Sequence, residues 1–426
     1  MIVKRVHELE TLENDFIKPI ASFVVLFGRK QVGKTTLLHH YSQTKPTLFL
    51  SCIEILPHLL FQSFAQQLAV KYKVNASAVD SFDAFLTLLS SVAFEQKTVI
   101  VFDDFHNIAK IQKESLSLFL HAWNKQLKYK NIQIILSSSI HSSLKEDRGV
   151  YEHASENIRL KSLEYGVIKT IVPDISKQDQ LKLFALFGTN INYIKKYNPF
   201  KEFNANIKEI FLEHQNQIKD EGLMLIKNEL SETTTYASIL YAIAKGNHKI
   251  GEIAQALNVK SSYLTRYIQK LMDMMILRKV TPMNEDGTHS KFGRYVFEDN
   301  YMKFWFSYVY FNGALFSENS INTLLQSFQK EFEEVCVYEA FKTSMSDLIC
   351  NNFEEFFGYK PIEIGSWWSN KNKQIDLIGY DSSTITFIEL RYKASQDVKQ
   401  IYEELKQKSQ SFETVLNKKF VIFSSH

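Results

Sequence analysis

The stretch FVVLFGRKQVGKTTLL, residues 23–38, decides how the first part of this chain folds. Its first five residues form an unbroken apolar run, and an apolar helix start follows Thr36. Between them lies G-x-x-x-x-G-K-T, with Gly28, Gly33, Lys34 and Thr35 at the fixed positions. A buried strand, a glycine-bounded turn and a helix N-terminus together make an anion cradle. Gly28 and Gly33 let backbone N–H groups turn toward phosphate, and the helix dipole favours negative charge there. Lys34 adds a point charge for β- and γ-phosphates, and the Thr35 hydroxyl suits magnesium. The expected cradle is Gly28, Arg29, Lys30, Gln31, Val32, Gly33, Lys34, Thr35 and Thr36, with ATP and Mg as its ligands.

Working outward, three more apolar runs follow: TLFL (47–50), TVIVF (98–102) and IQIIL (132–136). Helix-period stretches separate them around 57–70, 82–95 and 114–128. Strand alternating with helix predicts a parallel sheet covered on both faces. TVIVFDDF ends a strand on two acids. Asp103 is placed to hold magnesium, directly or through water, and Asp104 to act as the base that orients water. Asp104 as a plain helix cap is the competing reading. Ser138, at the end of IQIILSSS, lies at the same carboxyl edge, as a γ-phosphate or water contact or as a turn serine.

The 426 residues exceed one hydrophobic core, which predicts two to four domains. A formal net charge of +3 is too small to imply nucleic acid by itself, so only local charge placement argues for it. Cys52, Cys336 and Cys350 are widely spaced and lack metal-ligand spacing, which favours a reduced, cytoplasmic chain. No apolar run approaches the roughly 18–20 residues that span a bilayer, so no membrane partner is expected. MIVKRVHELE carries no signal-peptide core.

From 175 to 228 the pattern turns helical. Beyond it, Ile239 and Ile243 mark one helix, and Ile250, Ile253, Ala254 and Leu257 a second. Leu264, Ile268 and Leu271 mark a third, followed by the turn Asn284, Glu285, Asp286, Gly287. Between 245 and 279, seven Lys/Arg stand against Glu252 and Asp273, a local net of +5. Ser262, Arg266, Gln269 and Lys270 are left on the outer face of the third helix, with Lys260 before it. That pattern suits a helix entering the major groove of double-stranded DNA, with Lys260, Arg266 and Lys270 as the contacts. A protein-docking unit is the alternative.

Near the C-terminus, KQIDLIGYDSSTITFIELRYK reads as a hairpin with its turn at 381–383. Asp376 sits on its first strand, and Glu389, Arg391 and Lys393 share a face of the second. Two carboxylates beside a cation are the ingredients of metal-assisted phosphodiester cleavage.

These residues resemble the archaeal-type P-loop ATPases related to the AAA and STAND classes, over essentially the whole chain. Arg5, Glu8 and Leu9 match the family's R-x-x-E-L ahead of the phosphate loop. ILYAIAKGNHKIGEIAQALNVKSSYLTRYIQKLMDMMILRKVTP is the stretch most like the family's winged helix. The resemblance implies a C-terminal PD-(D/E)XK nuclease-like core of unassigned function, in which Glu339 corresponds to a helical glutamate and joins Asp376, Glu389 and Arg391. The Trp367–Trp368 pair also matches. Three departures stand out. Asp104 replaces the usual glutamate, Tyr151, Glu152 and His153 replace Tyr-Gly-Arg, and Arg391 replaces the nuclease lysine. Arginine's broad fork does not substitute for a compact ammonium group.

The expected architecture is an α/β P-loop NTPase domain (1–170), a helical lid (171–228), a winged helix (229–298) and a restriction-endonuclease-like α/β domain (299–426). The expected function is a slow Mg-dependent ATPase acting as a nucleotide switch coupled to DNA, with a degenerate nuclease-like domain. The alternatives are a STAND-like scaffold that binds ATP and a protein partner or a second copy of itself, and an ATP-dependent nuclease.

Overall fold

The computed structural model describes residues 5–76, 79–140, 148–227, 230–283, 285, 292–315, 317, 320–369, 373–393, 397–412 and 414–425. Its chain divides into two compact units, Met1–Ser162 with Asp273–Met275, and Leu163–Met272 with Ile276–His426.

The first unit holds β1 (Ser22–Phe27), β2 (Thr47–Ser51), β3 (Thr98–Asp103), β4 (Ile132–Ser138) and β5 (Glu156–Arg159). All neighbours pair in parallel, in the order β2-β3-β4-β1-β5. Helices α1 (Val6–Phe16), α2 (Lys34–Ser42), α3 (Pro57–Tyr72), α4 (Phe82–Ser91), α5 (His106–Ile111), α6 (Ser115–Lys125) and α7 (Arg148–His153) complete it. Alternate residues of each strand enter separate cores. Phe23, Val25, Ile100, Phe102, Ile134 and Leu136 pack with Phe61, Phe64, Phe85 and Phe119 of α3, α4 and α6. Val24, Leu26, Val99, Val101 and Ile135 pack instead with Leu12 of α1 and Leu37 and Leu38 of α2. Both faces are covered, so apart from Gln133 near the start of β4 the middles of the central strands carry only apolar side chains. Each such side chain contributes about 1.5–3 kcal/mol by its burial. The strand order then fixes the site, because β4 lies between the phosphate-loop strand and the acid-bearing strand.

In the second unit, the longest of the early helices are Lys177–Phe187, Phe203–Glu213 and Gln215–Lys227. Trp305 is fully buried there, and a Cβ at Gly222 would lie 2.3 Å from its ring, so only glycine admits the indole. Next come three helices, Thr233–Ala244, Ile250–Ala256 and Ser261–Asp273, and an antiparallel pair, β6 (Leu277–Val280) and β7 (Arg294–Phe297). The expected inward residues Ile239, Ile243, Leu264, Ile268 and Leu271 are all buried, joined by Tyr267. The turn residues Asn284, Asp286 and Gly287 fall outside the described residues.

The last part carries β8 (Glu363–Trp368), β9 (Gln374–Tyr380), β10 (Thr384–Arg391) and β11 (Asn417–Ser424), in the order β11-β10-β9-β8. The expected hairpin is β9 and β10, closed by Asp381, whose carboxylate accepts the backbone N–H groups of Ser383 and Thr384 at 2.7 Å each. β11 lies parallel to β10 after a crossover through the helix Val398–Ser409. The helix Tyr338–Asn351 packs against β9 and β10.

Candidate functional site

The phosphate loop is shaped by close backbone approaches. A Cβ at Gly28 would stand 2.5 Å from the Leu160 carbonyl oxygen, so the first glycine is required by packing against the segment after β5. Gly33 has φ +100°, a left-handed turn that opens α2 with Lys34 as its first residue. Behind the loop, Arg5 donates to the Val32 carbonyl at 3.2 Å and the Lys161 carbonyl at 2.8 Å, and pairs with Glu8 at 3.1 Å. The N-terminal arginine thus clasps the cradle, and Leu9 packs against the same core as α2.

Lys34 is buried, with Nζ donating to the carbonyls of Gly28 at 2.9 Å and Arg29 at 3.2 Å. Burial lowers its pKa to about 8, while the nearby Asp104 and Asp103 charges work in the opposite direction. Arg29 and Lys30 are half-buried, and Gln31, Thr35 and Thr36 are exposed.

Asp103 and Thr35 are brought together. Thr35 Oγ1 donates to Asp103 Oδ2 at 2.7 Å, and Ser137 Oγ donates to Asp103 Oδ1 at 2.6 Å. The same Ser137 hydroxyl accepts the Asp104 backbone N–H at 2.9 Å. A buried carboxylate beside a hydroxyl is a hard oxygen set that fits magnesium. Asp104 adopts φ +58°, a conformation aspartate tolerates better than most residues. It does not cap the following helix, where Phe105 occupies the N-cap without a side-chain bond.

Ser138 takes the turn role, the alternative to a phosphate or water contact. Its hydroxyl donates to the Ile140 carbonyl at 2.9 Å and accepts the Ile140 N–H at 3.1 Å. Ser137 is the β4 residue that meets the acids. The reason is parity: Ile135 and Ser137 face α2, as do Val101 and Asp103, whereas Leu136 and Ser138 face the other way. Counting alternation from the apolar run reveals this in the sequence. Of the residues standing where Tyr-Gly-Arg was expected, Tyr151 packs edge-on against Phe27 with centroids 6.1 Å apart, and Glu152 and His153 are exposed.

The C-terminal acids are paired with cations, Lys342 and Lys408 from outside the hairpin and Arg391 from within it. Asp376 is buried, accepts the Leu390 N–H at 2.9 Å and pairs with Lys342 at 2.6 Å. Glu389 is buried, and pairs with Lys408 at 3.1 Å and with Arg391 at 2.9 Å. Burial raises the Glu389 carboxyl, Asp376 adds to the rise, and Lys408 and Arg391 oppose it. Arg391 also reaches Glu404 at 3.6 Å. Two expectations fail here. Glu339 pairs with Lys303 and does not join Asp376 and Glu389. Lys393 lies past the end of β10 with φ +51° and faces Glu333 at 3.6 Å, so it does not extend the row of Glu389 and Arg391. Among the described residues, no group of three or more His, Cys, Asp or Glu is arranged to hold a metal. Lys342 and Lys408 went unread in the sequence, although Lys408 sits one helical turn from the inward Leu405. Trp368 is buried core, its Nε1 donating to the Phe292 carbonyl at 3.0 Å, and Trp367 packs on Phe412.

On the helix Ser261–Asp273, Arg266 is exposed, and Lys270 is half-buried, with exposed Lys260 just before the helix. Arg266 is also engaged within the fold. It donates to Tyr267 Oη at 2.6 Å, lies over the rings of Tyr267 and Tyr263, and stands 3.6 Å from Glu232.

Residues 20–141 match the family described as an AAA domain, and residues 305–401 match one described as archaeal and bacterial proteins of unknown function. An uncharacterized protein of Methanocaldococcus jannaschii is 28% identical over 424 residues, covering 96% of this chain and 92% of that one. The solved Walker-type ATPase of Pyrococcus abyssi superposes with a TM-score of 0.55 at 19% identity, over 72% of this chain and 96% of that one. No helix among the described residues is long and apolar enough to cross a membrane.

Proposed function

We propose that this chain, a P-loop ATPase with an AAA domain followed by a domain of the second family, is a slow magnesium-dependent nucleotide switch coupled to DNA. One observation carries the reading most directly: the hydrogen-bonded row Thr35–Asp103–Ser137 ties the phosphate loop to the acid turn beside buried Lys34. In this reading the backbone N–H groups of Gly28–Thr36 and the Lys34 ammonium receive the phosphates. Thr35 and Asp103 would hold magnesium, which would supply positive charge to the phosphates. Asp104 accepts the proton of the water whose oxygen bonds to the γ-phosphorus as the bond to ADP breaks. An aspartate here, one methylene shorter than glutamate, supports slow turnover. Gain or loss of the γ-phosphate then selects between two arrangements, as in other nucleotide switches.

The basic outer face around Lys260, Arg266 and Lys270 supports double-stranded DNA as the partner, with the three helices and β6–β7 read as a winged helix. The paired state of Asp376 and Glu389 supports a nuclease-like domain that has lost cleavage. The engagement of Arg266 with Glu232 and two tyrosines favours the second reading, a docking face for a protein. ATP turnover by the purified protein, with and without double-stranded DNA, separates the two. Stimulation by DNA is expected; tight ADP retention with no DNA effect would give the scaffold reading precedence.

A further inference from the structure

Next to the acid turn lies a histidine that neither the phosphate loop nor the magnesium set uses. His106 is the first residue of α5 and only 2% exposed. Its Nε2 lies 3.2 Å from Ser139 Oγ, just beyond β4, and its Nδ1 lies 4.0 Å from Asp104 Oδ1. Ser139 is itself buried. A neutral imidazole that accepts the Ser139 hydroxyl at Nε2 carries its proton at Nδ1, on the side of Asp104. The Asp104 backbone is already fixed from β4 by Ser137, whose hydroxyl takes its N–H. The Asp104 carboxylate is about 40% exposed and sits on a left-handed turn. From the end of β4, Ser137 thus fixes the Asp104 backbone, and Ser139 contacts the ring of His106, whose Nδ1 stands 4.0 Å from the Asp104 carboxylate, just beyond a direct hydrogen bond.

We infer that His106 is the positioning residue of the hydrolytic step: Nδ1, 4.0 Å from the Asp104 carboxylate in this structure, closes to a hydrogen bond that turns it toward the attacking water, while Ser139 fixes the ring. The inference rests on the reading of Asp104 as the base. It explains how a short aspartate side chain on an exposed turn is kept in one orientation. A carboxylate swinging between rotamers loses rate even when ATP is bound normally, and a misplacement of about 1 Å can cost on the order of 100-fold. The described contacts of His106 are with Ser139 and the Asp104 side, so its contribution falls on turnover and not on binding.

The two nitrogens give a discriminating test. In His106→Asn the side-chain amide nitrogen stands near the place of Nδ1, and in His106→Gln near that of Nε2. For each variant, and for His106→Ala, kcat is measured alongside ATP affinity by calorimetry and thermal unfolding. Each is then repeated in an Asp104→Asn background as a double-mutant cycle. The expected result is that Ala and Gln lower kcat by about 10- to 100-fold with ATP affinity within about twofold. Asn should recover most of the rate, and no histidine variant should cost anything further once Asp104 is changed. If Gln recovers the rate and Asn does not, the ring serves the Ser139 contact and the inference is overturned. Equal losses in the wild-type and Asp104→Asn backgrounds, or affinity falling in step with kcat, overturn it as well. Wild-type turnover by Asp104→Asn alone removes the base assignment itself, which is a separate failure from that of His106. Should His106→Ala not fold, the Asn and Gln pair decides the matter alone.

Discussion

Ser137→Ala tests whether the row that joins the phosphate loop to the acid turn is as important as its geometry suggests. The hydroxyl donates to Asp103 Oδ1 at 2.6 Å and accepts the Asp104 N–H at 2.9 Å, and Ser137 is fully buried. Alanine therefore removes one hydrogen bond to a carboxylate and one from a backbone N–H at a fully buried position. A hydrogen bond to a charged group contributes about 1.5–3 kcal/mol and a neutral one about 0.5–1.5 kcal/mol. Together they place the cost at about 2–4 kcal/mol, and the hydrophobic contacts of β4 are untouched. Asp103 keeps its Thr35 partner, so the first unit should still fold. The assay is urea unfolding, where the midpoint should fall with little change in slope, since the surface exposed on unfolding is the same. Ser137→Thr, which keeps the hydroxyl, should recover most of the loss. Calorimetry should show weaker MgATP binding by the alanine variant, with magnesium-free ATP less affected. An alanine variant within about 0.5 kcal/mol of wild type, with equal MgATP affinity, would refute the reasoning.

Lys34→Ala should fold normally and lose ATP binding, because the ammonium faces the loop and not a core; equal affinity by calorimetry would count against the assignment. Replacing Lys260, Arg266 and Lys270 by Ala should weaken duplex DNA binding and flatten its log–log salt dependence by up to about 2.7, at about 0.9 per lost phosphate contact. Unchanged slope and affinity would leave the protein-docking reading. The wild-type protein should leave supercoiled plasmid intact with magnesium or manganese, and Arg391→Lys should raise any nicking by releasing Glu389 from the guanidinium. Efficient nicking by wild type that is lost in Asp376→Ala would show an active nuclease. Lys408→Met should destabilise the second unit by about 1.5–3 kcal/mol, because Glu389 is left buried with a single cation; urea unfolding reads this directly.

The strands flanked by apolar residues on both faces were legible, because runs such as TVIVF admit only a doubly covered strand. β5, with sequence ENIR, was not, since an edge strand with one buried residue, Ile158, leaves no apolar run to read. β8, EIGSWW, escaped for the same reason, as it lies at an edge of its sheet and buries only Trp368, whereas β11 carries the run FVIF and was missed although that run could be read. In the site, Gly28 to Thr35 and Asp103 were readable because a cradle and a strand-end acid are local patterns. Ser137 needed only the alternation to be counted. His106, Lys342 and Lys408 were out of reach in a different sense. Their roles depend on which elements the topology sets side by side, and a lone histidine or lysine in a helix has no local mark of that.

The crossover from β10 to β11 has a consequence for the order in which this part of the molecule assembles. Glu389 sits on β10, but Lys408, which neutralises it, lies on the helix that follows, and only after that helix does β11 complete the parallel pair. While the hairpin β9–β10 stands alone, its two acids face one another without that lysine, and burying them is costly. The hairpin should therefore not close as an early independent nucleus. Its burial has to wait for the crossover helix, which makes the final thirty or so residues a condition of the sheet's formation and not an addition to it.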